Sequence, residues 1–186
     1  MYDLIGDIHG CAKTLDTLLA KLGYAHDGTS YRHPERQVIF LGDFVDRGPF
    51  QRETIGIAMA MVKHGAALAV MGNHEFNALA YHTADPDNPD KFLRAHNDNN
   101  LKQHKAFLDA YQHDKNGMQE ALEWFRTLPL WLDLGKLRVV HACWAPLAIG
   151  LLQPRLAQGK FITPDLLVRA SRKKTKEYEA VELLLK

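Results

Sequence analysis

The chain has 186 residues, 46% hydrophobic and 24% charged, the proportions of an ordinary globular domain with a core of its own. A formal net charge of +1 gives no electrostatic ground for capture by nucleic acid or by an anionic membrane, and no apolar run approaches the ~20 residues of a membrane span. Two cysteines, Cys11 and Cys143, make neither a disulfide framework nor a zinc ribbon. Each is expected to be a small buried residue in a reducing compartment, and with no leader pattern at the start of the chain the expected location is cytoplasmic.

Residues 2–5 read as a short strand, after which Gly6-Asp7-Ile8-His9-Gly10 turns the chain. Residues 11–22 carry Leu15, Leu18, Leu19 and Leu22 at helical spacing, with Gly23 as a stop. Residues 24–36 are polar and read as a loop. A second apolar strand, 37–41, ends in Gly42-Asp43-Phe44-Val45-Asp46-Arg47-Gly48. Residues 51–64 follow as a helix with Ile55, Ala58, Met59 and Val62 on one face. A third strand, 66–71, ends in Gly72-Asn73-His74-Glu75, where a further helix begins at about residue 75. Strand, polar loop and helix thus recur three times at about thirty residues, the rhythm of βαβ units with right-handed crossovers. A mostly parallel sheet built this way gathers all three polar loops at the C-terminal ends of its strands, the edge where α/β sheets bind ligands.

Residues 82–116 break the rhythm. Asp85 to Asp90 reads as a turn-rich loop that fails as a calcium loop, because Pro89 stands at its fifth position and no Gly at its sixth. His96, His104 and His113 are eight and nine apart, on different faces of any helix, and are expected at the surface. Residues 101–113 and 117–127 read as helices, and 130–134 with 137–140 as a hairpin whose second strand delivers His141. Residues 145–163 are apolar and irregular. Thr163-Pro164-Asp165 starts a helix, and 175–186 form another with Tyr178, Val181, Leu184 and Leu185 inward. No linker divides the chain, so residues 1–186 are expected to form one domain.

Four polar clusters, each directly after an apolar run, carry the chemistry. Asp7 and His9, two apart in extended chain, can reach one ion. Asp43 from the neighbouring strand can bridge that ion to a second, which Asn73 and His141 could hold from the other side. Carboxylate, amide and imidazole without thiolate suit Mn, Fe, Zn or Mg better than a structural zinc site.

Gly-Asp-x-His-Gly at residues 6–10, Gly-Asp-x-Val-Asp-Arg-Gly at 42–48 and Gly-Asn-His-Glu at 72–75 resemble the calcineurin-like metallophosphoesterases, most of all their phosphoprotein-phosphatase branch, which includes bacterial serine/threonine phosphatases and diadenosine tetraphosphatases. The resemblance runs from residue 2 to about 147. Val139-Val140-His141 is similar to the fourth motif, with Ala142-Cys143 in place of two glycines usual in eukaryotic members. Trp124 to Leu130 is similar to the diadenosine tetraphosphatases. The resemblance implies an α/β fold in which mixed β-sheet layers are flanked by helices, an α/β/β/α sandwich. It implies two divalent ions, foremost Mn²⁺, with Asp7, His9 and Asp43 on the first and Asp43, Asn73 and His141 on the second. It makes His74 the general acid, oriented by Asp46, with Arg47 gripping phosphate, Asn73 also facing substrate, and a hydroxide shared by two ions as nucleophile. Glu75 orients the loop or caps a helix.

The family's late metal-binding His has no counterpart, since no His follows His141, and none of Arg155, Arg169 or Arg172 sits in the motif of its second phosphate-binding Arg. The sequence is therefore expected to be a truncated form lacking C-terminal strands, with a weak second metal and an exposed apolar edge. The expected substrate is a dinucleoside polyphosphate or a phosphoserine/phosphothreonine protein. The alternative is a metal- and phosphate-binding module impaired in catalysis.

Overall fold

The computed structural model describes residues 1–158 and 161–186. Its centre is a parallel sheet of β1 (Tyr2–Ile5), β4 (Gln37–Phe40) and β5 (Ala67–Ala69), in the order β1-β4-β5. Leu4 pairs with Ile39 and Ile39 with Leu68, so the three strands run in step and their C-terminal ends form one edge. Val38, Ile39 and Phe40 of the middle strand are all fully buried, as both faces of a central parallel strand must be.

The two crossovers are α1 (Ala12–Lys21) and α2 (Gln51–Lys63). Leu15 and Leu19 of α1 pack inward, whereas Leu18 is exposed and Leu22 only partly buried, so the apolar stripe is narrower than the leucine spacing predicts. Gly23, at φ +84°, ends the helix in the left-handed conformation. Between the crossovers, residues 24–36 are less irregular than expected. They contain a minimal hairpin, β2 (Ala25–His26) and β3 (Tyr31–Arg32), because Oδ1 of Asp27 accepts the N–H groups of Thr29 and Ser30 and closes the turn.

Helix α3 (Asn73–Tyr81) starts two residues earlier than expected, since Gly72 is extended and passes directly into the helix. The segment expected as a turn-rich loop forms a two-stranded ribbon, β6 (Ala84–Asp85) and β7 (Asn88–Phe92). A ribbon has open edges on which Pro89 leaves no ladder bond unmade. Helix α4 (Asp98–Tyr111) is capped by Asn97, which accepts the N–H of Asn100 at 2.9 Å, and α5 (Lys115–Arg126) by Asp114.

The hairpin β8 (Trp131–Asp133) and β9 (Arg138–Val140) forms as expected. It lies on the face of the parallel sheet opposite the helices, where Val139, Leu132, Leu134 and Leu137 meet Ile39 and Val70. On that same side β1 leaves Tyr2 and Leu4 exposed by 40% and 51%. The layers are therefore helices, parallel sheet and hairpin, an α/β fold with several small sheets.

Part of 145–163 is helical: α6 (Pro146–Leu152) continues into a short 3-10 turn at Gln153–Arg155. Its first residue is a proline and its cap, Ala145, offers no side-chain hydrogen bond, so the usual polar start signal is absent. The expectation for residues 159 and 160 lies outside the described residues. Thr163 caps α7 (Pro164–Ala170) as expected, and Thr175 caps α8 (Lys176–Leu185), which buries Val181, Leu184 and Leu185. Tyr178 is only partly buried. The cysteines depart from expectation: Cys143 is exposed and Cys11 partly buried. No helix among the described residues is long and apolar enough to cross a membrane.

Candidate metal centre

The loops after β1 and β4 are sewn to each other backbone to backbone. His9 N–H donates to the Asp43 carbonyl at 2.9 Å, Gly10 N–H to Phe44 at 2.8 Å, and Gly48 N–H to His9 at 2.9 Å. Phe44 and Val45 point into the core, where Phe44 packs on Phe40 and Trp124, while Asp43 and Asp46 face the other way. Gln51, at the start of α2, is itself buried; its side-chain carbonyl accepts the Asp46 N–H at 2.8 Å and its amide donates to the Asp46 and Gly48 carbonyls. The loops need these ties because Asp7, His9, Asp43, Asp46 and Arg47 all have positive φ, between 46° and 68°. Each costs on the order of 1–2 kcal/mol for an L-residue, and such residues persist only where surrounding structure over-determines them. Asp7 and His9 accordingly enter the site through left-handed turns, not through the extended chain expected from their spacing.

Gly72 completes the frame. A Cβ on Gly72 would stand 2.3 Å from Oδ1 of Asp43, so β5 can approach the Asp43 loop only with glycine there. Glu75, fully buried one turn into α3, fixes that approach. Its carboxylate accepts the N–H groups of Asp43 at 2.8 Å, Phe44 at 2.8 Å and Gly72 at 3.0 Å. Burial and the neighbouring Asp43 push its pKa up, against the pull of those three donors. Glu75 thus does both jobs expected of it, holding the loop and capping the helix.

Around Asp43, itself 3% exposed, the structure gathers Asp7, His9, Asn73, His74 and His141. Two triplets of donor atoms lie within 4.8 Å of one another: His9, Asp43 and His74, and Asp7, Asp43 and His141. Asp43 is common to both, while Asp7 groups with His141 and not with its sequence neighbour His9. Nδ1 of His9 lies 2.8 Å from the Val45 carbonyl and Nδ1 of His141 lies 2.6 Å from that of Leu41, so each donates a proton there. That leaves the Nε2 lone pairs aimed at the centre. Nε2 of His9 is buried with no hydrogen-bond partner, and Nε2 of His141 faces Oδ1 of Asn73 at 3.2 Å and Oδ2 of Asp43 at 3.5 Å. Converging lone pairs with an orphaned buried nitrogen fit a divalent cation, and the backbone carbonyls behind the two imidazoles fix the tautomers that such ligands need.

His74 sits at the rim, its ring edge-on to His9 at 4.7 Å. Its Nδ1 donates to Oδ2 of Asp46 at 2.6 Å, the pairing that the family resemblance implies, and its Nε2 lies 4.0 Å from Oδ2 of Asp43. The other oxygen of Asp46 is also engaged. Nδ1 of His104, on α4, is 2.8 Å from Oδ1 of Asp46, and Nε2 of His104 meets Nε2 of His82 at 3.3 Å. His104 is 4% exposed, contrary to the surface position expected for it. It belongs to an inward stripe with Phe107 and Tyr111, at the i, i+3, i+7 spacing of one helix face. That spacing to its apolar neighbours was the available signal, and the distances among the histidines concealed it. His96, stacked between Tyr81 and Phe92, and His113 are both exposed as expected.

Burial opposes charge on both partners of the His74–Asp46 pair, and their hydrogen bonds outweigh it. Asp46 lies below the usual carboxylate range because His104 and His74 donate to it. His74 is raised above the usual imidazole value by the Asp46 hydrogen bond and by the charges of Asp43, Asp46 and Glu75. Burial, with His104 and His96 close by, pushes His82 down to about 4. Arg47 is exposed and has no ion pair or side-chain hydrogen bond among the described residues. It lines an open groove of about 550 Å³ with Asn99, Lys102, Gln103 and Lys105 of α4. A second concavity, of about 520 Å³, lies beside Asn77, Arg94 and Tyr178.

The family model for calcineurin-like phosphoesterases matches residues 2–161. A bis(5'-nucleosyl)-tetraphosphatase PrpE of Bacillus subtilis is 33% identical over 146 residues, 76% of this chain and 57% of that protein. Its namesake in Halalkalibacterium halodurans is 47% identical over 74 residues, 39% of this chain and 30% of that protein. The chain thus spans little more than half the length of these curated relatives at most. Among solved structures, a cold-active protein tyrosine phosphatase superposes with a TM-score of 0.59 at 19% identity, over 98% of this chain and 51% of that one. A cold-active protein-tyrosine phosphatase of a Shewanella species gives 0.55 at 16% identity, over 100% of this chain and 54% of that one. At such identities the likeness is one of fold.

Proposed function

The chain belongs to the calcineurin-like phosphoesterases, and on that premise we propose that it hydrolyses phosphate esters or anhydrides with divalent metal ions, its substrate a dinucleoside polyphosphate. One observation carries the metal reading: Asp43, the single carboxylate common to both donor triplets, faces a buried His9 nitrogen that has no partner. In this reading Asp7, His9 and Asp43 hold one cation and Asp43, Asn73 and His141 the other, a partition that differs from the two triplets, where Asp7 lies with His141 and His9 with His74. A donor set of carboxylate, amide and imidazole is compatible with Mn²⁺, Fe, Zn or Mg, and the family resemblance puts Mn²⁺ first. Cations bound there supply positive charge to the phosphoryl oxygens and make water a nucleophile at neutral pH. Residues 1–186 act as a single domain, a reading supported by one hydrophobic cluster that joins β1, β4 and β5 to α1, α2, α5, α7 and α8.

The protein's own groups then have separate tasks. Arg47, uncommitted and at the groove, offers its guanidinium fork to two phosphoryl oxygens, and the Asn73 amide orients a third. His74 is placed to keep a proton on Nε2, because Asp46 accepts from Nδ1 and stabilises the charged ring. From there it gives that proton to the leaving oxygen. Nucleotide over protein substrate is favoured by the identity to tetraphosphatases across three-quarters of this chain.

The test is to assay the full chain with Mn²⁺ on phenyl phosphate, on diadenosine tetraphosphate and on a phosphopeptide, beside Asp43→Asn and His74→Asn. His74→Asn should lower turnover of phenyl phosphate by about 10²–10⁴-fold. Activity that survives both substitutions overturns the mechanism, and turnover of the phosphopeptide alone overturns the substrate.

A further inference from the structure

We propose that His104 is a positioning residue for the reaction, fixing the Asp46 carboxylate and through it the ring of His74. This rests on the reading of His74 as the proton donor, and it concerns a residue outside every motif of the loops.

Asp46 is 3% exposed, and its main chain is already clasped by Gln51. Its two carboxylate oxygens depend on side chains: Oδ2 takes Nδ1–H of His74 at 2.6 Å and Oδ1 takes Nδ1–H of His104 at 2.8 Å. A carboxylate held by one donor can swing about its own bond, and one held at both oxygens cannot. The His74 ring plane, which follows the accepting oxygen, is thereby set. Without His104, Oδ1 would be a buried acceptor with no donor, an unfavourable state that rotation of Asp46 would relieve at the expense of His74.

His104 is rigid enough for that role. Its ring stacks on Phe107 at 4.8 Å with 18° between planes, lies 5.1 Å from the Tyr81 ring, and is met at Nε2 by His82. Every one of its polar atoms is accounted for, and it belongs to neither donor triplet around Asp43. The segment 82–116, which interrupts the βαβ rhythm, thus contributes one side chain that reaches the reaction from behind.

The experiment compares phenyl phosphate, whose leaving oxygen needs a proton, with p-nitrophenyl phosphate, whose leaving oxygen needs it far less. With Mn²⁺ present, His104→Ala should lower kcat on phenyl phosphate by about 10–100-fold with KM changed by less than about twofold, the scale typical of residues that orient a reacting group's partner. On p-nitrophenyl phosphate the loss should stay under about threefold. His104→Asn, which places an N–H near the former Nδ1, should recover most of the rate. His104→Phe, which keeps the ring and lacks the donor, should behave as His104→Ala does, so a poorly folding alanine variant leaves the comparison intact. In a His74→Asn background His104→Phe should add nothing. Imidazole nitrogen NMR of the unaltered chain should find His104 as the Nδ1–H tautomer. Parent rates in His104→Phe, equal losses on the two esters, a further loss in the His74→Asn background, or an Nε2–H tautomer alone would each overturn the proposal. If His74→Asn itself leaves phenyl phosphate turnover intact, the proton-donor reading fails instead.

Discussion

Nε2 of His141 lies 3.5 Å from Oδ2 of Asp43, and with the His141 ring neutral neither atom has a proton to offer the other. The Nδ1–H of His141 is used on the Leu41 carbonyl, so the facing nitrogen is a lone pair set against a carboxylate. Oδ1 of Asn73 adds a third acceptor at 3.2 Å. Such a cluster is repulsive until a cation enters it, which makes the site a store of electrostatic strain that metal relieves. Added Mn²⁺ should raise the thermal midpoint of the chain, and chelator should reverse it. At about 100 times the dissociation constant the gain is roughly 2.7 kcal/mol. His141→Ala and Asp43→Asn should each weaken binding in a calorimetric titration, Asp43→Asn more, because Asp43 faces both triplets. An unchanged midpoint across the Mn²⁺ titration would remove the metal from this account.

Glu75 should prove more important to folding than to binding. Its oxygens face three main-chain N–H groups and no other donor among the described residues. Glu75→Gln keeps the shape but turns an NH₂ group toward one of those donors, leaving a buried N–H without an acceptor. The expected loss is about 1–3 kcal/mol in chemical denaturation, with an unchanged m-value. Glu75→Gln with parental stability would mean that the Asp43 loop does not need this anchor.

The four loop clusters were legible in the sequence because each directly follows an apolar strand, and a parallel sheet gathers strand ends. Asp7, His9, Asp43, Asn73 and His74 meet at one edge for that reason, and His141 joins them from the end of β9 in the hairpin. Their pairing was less legible: which atom lies nearest which depends on left-handed φ values at Asp7, His9 and Asp43, which a count of residues cannot supply. His104 was hidden differently. It reaches Asp46 across 58 positions of sequence, from a helix that ends outside the βαβ rhythm, and only its register with Phe107 and Tyr111 betrays an inward face. Gln51 reads as an ordinary first residue of α2, and its clasp on Asp46 exists only once the loop has folded back. Helix α6 escaped notice because proline opens it and no polar cap announces it.

His82 should make the chain acid-sensitive before its carboxylates do. Burial first, and then His104 and His96, lower its pKa from 6.5 to about 4. In the unfolded chain His82 takes up its proton as pH falls through about 6.5, and in the folded chain only near 4. Between those values the unfolded state binds more protons, so stability is full above about 6.5 and declines as pH drops toward 4. The ring is partly open to solvent, and screening reduces the effect to about 1–2 kcal/mol. Comparing denaturation at about pH 7 and about pH 4.5 for the parent and His82→Gln isolates this group. The substituted chain should lose about 1–2 kcal/mol less over that interval, and identical losses would show that His82 is not responsible.

Arg47 separates activity from stability. It holds φ at 65°, in the left-handed region, yet its side chain has no ion pair or hydrogen bond among the described residues. Strain at that position is kept without a structural return within the folded chain, the pattern expected of a residue whose contacts arrive with the substrate. Arg47→Gly removes about 1–2 kcal/mol of left-handed strain and adds about 0.5–1 kcal/mol of unfolded-chain entropy. The net change in stability should lie between zero and about 1.5 kcal/mol in favour of the variant. Activity should move the other way, because a guanidinium on phosphate forms charge-assisted hydrogen bonds of about 1.5–3 kcal/mol, so kcat/KM should fall by about 10–100-fold. Arg47→Lys keeps the charge and loses the two-pronged geometry, and it should fall between the two. A destabilised Arg47→Gly would show that Arg47 supports the loop, and an active one would show that phosphate is held elsewhere.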